Sequence, residues 1–390
     1  MIYLDNAAST RIDERVDGVM RIVSEYANPS SIHSEGTAAR KLIDRARRNV
    51  ADMLHCDPSH IIFTSGGSES NAMVLRGFKP LYNSRKNRVA YSAVEHESVV
   101  ENATRFPAGA YAKPFEIMVN SDGCLRYDDL ENAVADPTVR LVSVMAMNNE
   151  IPSRNLVREI ADRCHVKGVA FHTDCVQAVG SMELDVNMLG CDFMSLSAHK
   201  FHGPKGVGIL YCRYRDSLYP LVSGSGSQEF GLKSGTENIV GIVGAGKAAE
   251  LAVREFEANN AKIAAVKSVF YSSLRTSLNE RKAANIMRLN GNPAMNHKVL
   301  SVTFDGVDAQ TLVLALSSVG IYISAGSACN ANSTVGSKVL KAIGLTDKQA
   351  HQTVRFSFSK FNTEDEMRRA AVIVANTVLM LREMGGVGNG

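Results

Sequence analysis

The chain lacks any stretch of about eighteen uninterrupted apolar residues, the least a membrane-crossing helix needs. Its start, Met1-Ile2-Tyr3-Leu4-Asp5-Asn6-Ala7-Ala8-Ser9-Thr10, has neither the basic opening nor the apolar core of a secretion signal. No membrane association and a cytoplasmic location are expected. There is little net charge: 43 basic against 40 acidic side chains leave +3, so the balance calls for no direct contact with nucleic acid. One local group, Lys79, Arg85, Lys86 and Arg88, reads as a solvated loop. No CxxC pair occurs among seven cysteines, Cys56, Cys124, Cys164, Cys175, Cys191, Cys212 and Cys329, which argues against a zinc site and a disulfide framework. Most of them are expected to be small buried hydrophobes. Repeats and low-complexity blocks are absent, and only Gly385 to Gly390 reads as a frayed tail.

What is present is the composition of a globular protein, 45% hydrophobic and 21% charged over 390 residues, long enough for a large domain and a smaller partner. From about residue 60 to 245, short β-branched runs alternate with amphipathic stretches, the pattern of an α/β domain with a largely parallel sheet. The expected strands are His60 to Thr64, Arg88 to Ser92, Arg140 to Met147, Val169 to Thr173, Phe193 to Ser197 and Val207 to Cys212. Polar motifs sit where these strands stop, and ligands in such sheets collect at the carboxyl ends. Beyond Gly246 the spacing predicts one long helix through about residue 280, a strand over Lys298 to Phe304 and a helix over Ala309 to Ser318. A last helix begins at Thr363, with Glu366 completing a capping box, and runs to about Met384.

Three segments carry chemistry. In Ile61-Ile62-Phe63-Thr64-Ser65-Gly66-Gly67-Ser68-Glu69-Ser70-Asn71, an apolar strand stops at two glycines and a helix-forming stretch begins. Unpaired N–H groups and the positive dipole end meet there, and glycine lets backbone approach a phosphate; the plain alternative is a helix cap. Gly241-Ile242-Val243-Gly244-Ala245-Gly246-Lys247-Ala248 nearly spells a nucleotide-binding loop, but Ala248 stands where a magnesium-binding hydroxyl is needed, so it reads as a closely packed helix. Phe171-His172-Thr173-Asp174-Cys175-Val176-Gln177 delivers an aspartate off the end of a strand. Lys200 follows the strand Phe193 to Ser197, so both can end adjacent strands. Alone, Asp174 is equally a helix cap and Lys200 a surface lysine. Together they meet the needs of pyridoxal 5′-phosphate (PLP): a lysine to link to its aldehyde and a carboxylate to keep its pyridine nitrogen protonated.

With these segments in view, the chain resembles the cysteine desulfurases of the class V aminotransferase group. The likeness rests on Tyr3 to Ala8, Asn28 to His33, Thr64 to Asn71, Val94 to His96, Asn148 to Ile151, His172 to Gln177, Ser197 to Gly206, Ser234 to Asn238, Ser324 to Cys329 and Val354 to Ser357, in family order over nearly the whole length. The resemblance implies a fold-type I PLP transferase. Its large PLP-binding domain would span 15–255 around a mainly parallel seven-stranded sheet, and 1–14 with 256–390 would form a smaller α+β domain carrying a catalytic-cysteine loop. It further implies that Lys200 holds PLP, Asp174 pairs with the pyridine nitrogen, Gln177 bonds the ring hydroxyl and His96 stacks on the ring. Gly67, Ser68, Ser197 and His199 would hold the phosphate, with Thr236 supplied across a homodimer interface. Asn149 and Arg355 would grip the substrate carboxylate, to which a guanidinium fork is suited.

The Ser-x-Gly-Ser-x-Cys signature ending at Cys329 marks, in that family, the subgroup with a long catalytic loop; the run Val319 to Ser324 leads into it and a polar stretch to Gly336 follows. The implied reaction is L-cysteine to L-alanine, with Cys329 as thiolate taking the sulfur as a persulfide and passing it to an acceptor protein, and with His96 placed to move a proton. Cys175 is expected to be structural. Iron–sulfur assembly, tRNA thiolation and DNA phosphorothioation would all use this donor chemistry. Departures from the family occur at Pro152-Ser153-Arg154, after Asn149-Glu150-Ile151, and at the serines of Ser223 to Ser227. A selenocysteine lyase or other class V lyase on the same core, and an idle sulfur-pathway binding module, are the rival readings.

Overall fold

The computed structural model describes residues 1–23, 26–81, 87–105, 113–224, 228–326 and 336–386. Arg85, Lys86, Cys329 and the stretches 225–227, 330–335 and 387–390 lie outside the described residues. At the centre is a seven-stranded sheet in the order Ile61–Thr64, Gly208–Cys212, Phe193–Ser197, Ala170–Asp174, Val139–Ser143, Arg88–Ser92, Phe115–Ile117. Gly208–Cys212 runs antiparallel to both neighbours and the other pairings beyond it are parallel. Ile61–Thr64, Gly208–Cys212 and Phe193–Ser197 are buried along their whole length, and the next three strands at all but one residue each, which is why they read as continuous apolar runs rather than alternating ones. Ala170–Asp174 and Phe193–Ser197 lie side by side with Asp174 opposite Ser195, so their carboxyl ends deliver Asp174 and the Lys200 turn to one edge of the sheet.

Six of these strands are legible in the sequence; the seventh, Phe115–Ile117, is a three-residue edge strand too short to make a pattern. The long helix expected beyond Gly246 is two helices, Ile239–Arg254 and Phe256–Glu280, broken at Glu255. There the Glu255 carboxylate leaves the helical pattern to bind Arg15 and, at 3.2 Å, the Lys360 ammonium. The near-miss nucleotide loop lies within the first helix, and a Cβ at Gly246 would sit 2.6 Å from the Ala46 Cα of helix Ser34–Leu54. Its glycines serve close helix packing. Thr363 and Glu366 exchange the two capping bonds read from the sequence, at 3.1 and 3.3 Å, ahead of helix Glu364–Gly386.

A second, antiparallel sheet runs Ser324–Ala325, Thr353–Ser357, Val299–Phe304, Met287–Asn290. Ile2–Tyr3 pairs with Ile321–Tyr322, and Ile2 and Leu4 are buried in the same apolar cluster as Phe270, Phe304 and Phe356. Val16 belongs instead to the core under the large sheet, so the chain changes cores between Leu4 and Val16. The crossing is tied by charge. Asp13 accepts from Lys360 Nζ at 2.7 Å and from Arg15, whose guanidinium holds the Asp13 carboxyl well below the usual range and lowers Glu255 to about 2.

One buried ion pair holds the turn around Glu229 against the strand Ile61–Thr64. Arg47 grips Glu229 with both Nη atoms, at 2.9 and 2.6 Å, between the Phe63 and Phe230 rings, and Glu229 also accepts the Phe63 N–H at 2.7 Å. Glu229 and Phe230 both have left-handed backbone, φ 45° and 58°, a conformation non-glycine residues hold only when neighbours enforce it. Removing one partner strands the other as a buried charge. Arg47→Ala is therefore expected to destabilise the fold by about 3–5 kcal/mol in denaturant unfolding; a loss below about 1 kcal/mol, the range of exposed pairs, would contradict this account.

Candidate active site

The carboxyl edge of the large sheet opens into a cleft of about 740 Å³ whose far wall is Arg355 and the helix after residue 336. The cleft gathers Gly67, Ser68, His96, Asn149, Asp174, Gln177, Ser197, His199, Lys200 and Arg355. Thr236 is exposed and does not line it, and Cys329 lies outside the described residues.

Lys200 ends a single 3₁₀ turn after the Phe193–Ser197 strand, and its Nζ donates to the carbonyls of Ala7 and Ala8 at 2.7 and 2.8 Å. Gln177 Nε2 donates to the same Ala7 carbonyl at 2.9 Å. The N-terminal segment thus forms part of the cleft floor. Asp174 is 4% exposed; Oδ1 accepts from the Val176 N–H at 2.9 Å and Oδ2 from Asn71 Nδ2 at 2.8 Å. His96 caps helix Glu97–Thr104, its Nδ1 lying 3.1 Å from the Ser98 N–H and 2.8 Å from the Ser98 hydroxyl.

The helix Gly67–Gly77 also begins at the cleft, where Gly67 and Ser68 line it. Gly66, its cap, has no side chain to occupy the free N–H groups, and Ser68, Ser197 and His199 stand around them. A Cβ on Gly67 would come 2.6 Å from Val176 Cγ2, so the helix reaches this close only as glycine. Burial and the neighbouring Lys200 and Lys205 lower His199 to about 4, leaving it neutral at pH 7. The set is a ready anion site.

Arg355 comes from the small sheet, 3% exposed, donating to the Asn149 carbonyl at 2.7 Å and to Asp5 Oδ1 at 2.6 Å, while its buried Nε has no partner. The loop before Pro152 folds on itself, with Asn148 Oδ1 accepting the Glu150 and Ile151 N–H groups at 2.7 and 3.1 Å. Sequence reasoning missed Asp5, Asn71, Ser98 and Glu95. Asp5, Asn71 and Glu95 lay inside motifs quoted above, but only their partners give them roles.

Glu95 is the most perturbed carboxyl here. One oxygen accepts from Ser92 Oγ and the Met145 N–H at 2.7 and 2.6 Å, the other is unpartnered, and burial, with Asp174 adding to it, raises its pKa to about 8. Between the ordinary value of about 4.3 and about 8 the native chain holds a proton that the unfolded chain has lost. This group therefore costs stability progressively as pH rises through that window. Glu95→Gln removes the slope: its thermal midpoint relative to the wild type is expected to climb from pH 5 to pH 8, and a constant difference would refute the assignment.

All six described cysteines have thiols raised by burial: Cys56, Cys191 and Cys212 to about 12, with Cys124, Cys164 and Cys175 also above their ordinary value. Cys175 is wholly buried, as a structural cysteine should be. No cluster of metal-ligating side chains occurs among the described residues, and none of their helices is long and apolar enough to cross a membrane.

These features fit PLP. The helix start around Gly67 offers N–H groups to a phosphate, Asp174 offers a carboxylate to a cationic ring nitrogen, and Lys200 offers an amine in the same cleft. The unpartnered, buried Asn71 Oδ1 and Arg355 Nε leave polar capacity for an occupant. Fold and site together define a PLP-dependent transferase of fold type I. The chain belongs to the aminotransferase class-V family, whose model matches residues 2–369. It is similar to cysteine desulfurase IscS of Methanosarcina thermophila, 36% identical over 98% of this chain and 93% of that protein. Among solved structures, a NifS-like protein superposes with a TM-score of 0.87 at 33% identity, covering 97% of this chain and all of the other. SspA in complex with cysteine does so with a TM-score of 0.75 at 30% identity, covering 93% of this chain and all of that one.

Proposed function

We propose that this chain is a PLP-dependent cysteine desulfurase that converts L-cysteine to L-alanine and leaves the sulfur as a persulfide on Cys329. The observation that carries the reading is the meeting of Lys200 and Asp174, from neighbouring strand ends, with Arg355 from the other sheet in one cleft. When bound, PLP supplies an electron sink for the bonds at the substrate Cα and Cβ. Lys200 would hold it and move the substrate Cα proton; Asp174 would keep its ring nitrogen protonated; Gln177 would bond its ring hydroxyl; His96 would lie against the ring and relay a proton. Gly67, Ser68, Ser197 and His199 hold the phosphate. Arg355, through its unpartnered Nε, and Asn149 take the substrate carboxylate.

The Cys329 thiolate attacks the substrate sulfur: an S–S bond forms, the C–S bond breaks, and the carbon skeleton leaves as alanine after gaining a proton. The raised thiols of the six described cysteines, four buried and two half-buried, support this choice, because a thiol removed from water resists becoming the nucleophilic thiolate. The sulfur passes on to an acceptor protein. Residues 15–255 make the PLP-binding domain and 1–14 with 256–390 the small domain, and exposed Thr236 reaches the phosphate of a second copy in a homodimer. Purified protein given PLP, L-cysteine and a thiol reductant is expected to form alanine and sulfide in equal amounts; absence of alanine would overturn the assignment. Parallel turnover of selenocysteine and cysteine sulfinate measures substrate preference.

A further inference from the structure

The four polar residues Asp174, Asn71, Ser98 and His96 form one unbroken chain of hydrogen bonds along the cleft wall, and its direction follows from elementary donor and acceptor rules. Ionised Asp174 can only accept, so the Asn71 atom 2.8 Å from its Oδ2 is the NH₂ group. The same NH₂ lies 2.9 Å from Ser98 Oγ, which therefore accepts, and the Ser98 proton is left to point elsewhere. The acceptor it meets is His96 Nδ1, at 2.8 Å. A second donor agrees: the Ser98 backbone N–H, which cannot do otherwise than donate, lies 3.1 Å from the same nitrogen. With Nδ1 accepting, a neutral His96 carries its proton on Nε2. Asn71 is fully buried, so its amide is held in this one orientation by the Asp174 charge.

We propose that Asn71 and Ser98 are positioning residues that transmit the charge of Asp174 to His96, fixing the His96 proton on Nε2 and the ring in one orientation over the cleft. The inference rests on the reading of His96 and Asp174 given above, but its test does not depend on turnover. Neither residue touches the reacting atoms. Their work is to make the carboxylate and the imidazole behave as one preorganised unit, so that a ring free to rotate or to switch tautomer does not have to be ordered at each turnover.

The test is long-range ¹H–¹⁵N correlation on holoenzyme carrying ¹⁵N-histidine, with the His96 signals assigned by their loss in His96→Gln. The wild type is expected to show Nδ1 unprotonated and Nε2 protonated. Ser98→Ala removes one of the two Nδ1 donors and is expected to shift the Nδ1 resonance while Nε2 keeps its proton. Asn71→Leu, similar in size but with no donor for Asp174 or Ser98, frees the Ser98 hydroxyl to turn and is expected to shift the Nδ1 resonance and to lower kcat by about ten-fold or more with KM within about two-fold. Should Asn71→Leu fail to fold, as judged by circular dichroism, Ser98→Ala alone decides the matter. A wild-type His96 protonated on Nδ1, or an Nδ1 resonance unmoved in Ser98→Ala, overturns the proposal. Alanine formation with an unmoved resonance would sink the relay and leave the desulfurase reading standing; a moved resonance without alanine formation would do the reverse.

Discussion

Lys200→Ala is expected to eliminate the absorbance of the lysine-linked cofactor and to reduce alanine formation at least about 100-fold, the usual contribution of a positioned acid–base group. The native amine is not a loose side chain that any cation could imitate. It is drawn down between the Ala7 and Ala8 carbonyls, at the foot of a turn that follows a fully buried strand. Lys200→Arg should therefore fail almost as badly, because a guanidinium neither forms the link nor gives up its proton near neutral pH. Folding should survive in Lys200→Ala, since Gln177 still donates to the Ala7 carbonyl. Absorbance spectroscopy reads the link and an alanine assay reads turnover. Retention of the wild-type spectrum in either variant would remove Lys200 from its assigned place.

Cys329→Ser separates the two halves of the reaction. The variant is expected to keep the cofactor absorbance of the wild type, because the residues proposed to hold PLP are untouched, and to lose sulfide release altogether. A serine hydroxyl is far less acidic than a thiol and cannot carry sulfur as a persulfide. Mass spectrometry after a single addition of cysteine should find the extra sulfur on Cys329 in the wild type and on no residue of the variant. Cys175→Ala is the matching control. Its thiol is wholly buried, and burial holds it protonated, so its loss is expected to cost packing but not sulfur transfer. Full sulfide production by Cys329→Ser would overturn the sulfur-transfer mechanism while leaving the PLP site intact.

Charge at the junction of the two cores has a pH signature opposite to that of Glu95. Asp13 and Glu255 are ionised by their bonds to Arg15 and Lys360, so their stabilisation is present above the ordinary carboxylate range and fades only as pH falls towards their lowered values. Glu95 subtracts stability on the alkaline side of that range. The two effects together place the most stable pH between the two regions, on the mildly acidic side of neutrality.

Much of this protein was determined by its sequence alone. Continuous apolar runs ending in polar turns specify a covered, largely parallel sheet, because strands covered on both faces have no solvent side to alternate with, and six of the seven strands show such runs, although Gly208–Cys212 is antiparallel to its neighbours. Asp174 and Lys200 were legible as a pair because each directly follows such a run. The capping box at Thr363 was legible because its two bonds are local in the chain. Edge strand Phe115–Ile117 was not, having too few residues to show a period, and the helix break at Glu255 was not, because its partners Arg15 and Lys360 are remote in sequence. The same reason separates site from motif. Arg355 meets Asp5 across nearly the whole chain, Asn71 meets Asp174 and Ser98 from three different elements, and Glu95 becomes a perturbed acid only when the sheet closes over it. Chemistry that depends on which residue types follow a strand is written in the order of the amino acids. Chemistry that depends on hydrogen-bond direction, burial and the approach of charges exists only after distant segments are packed together.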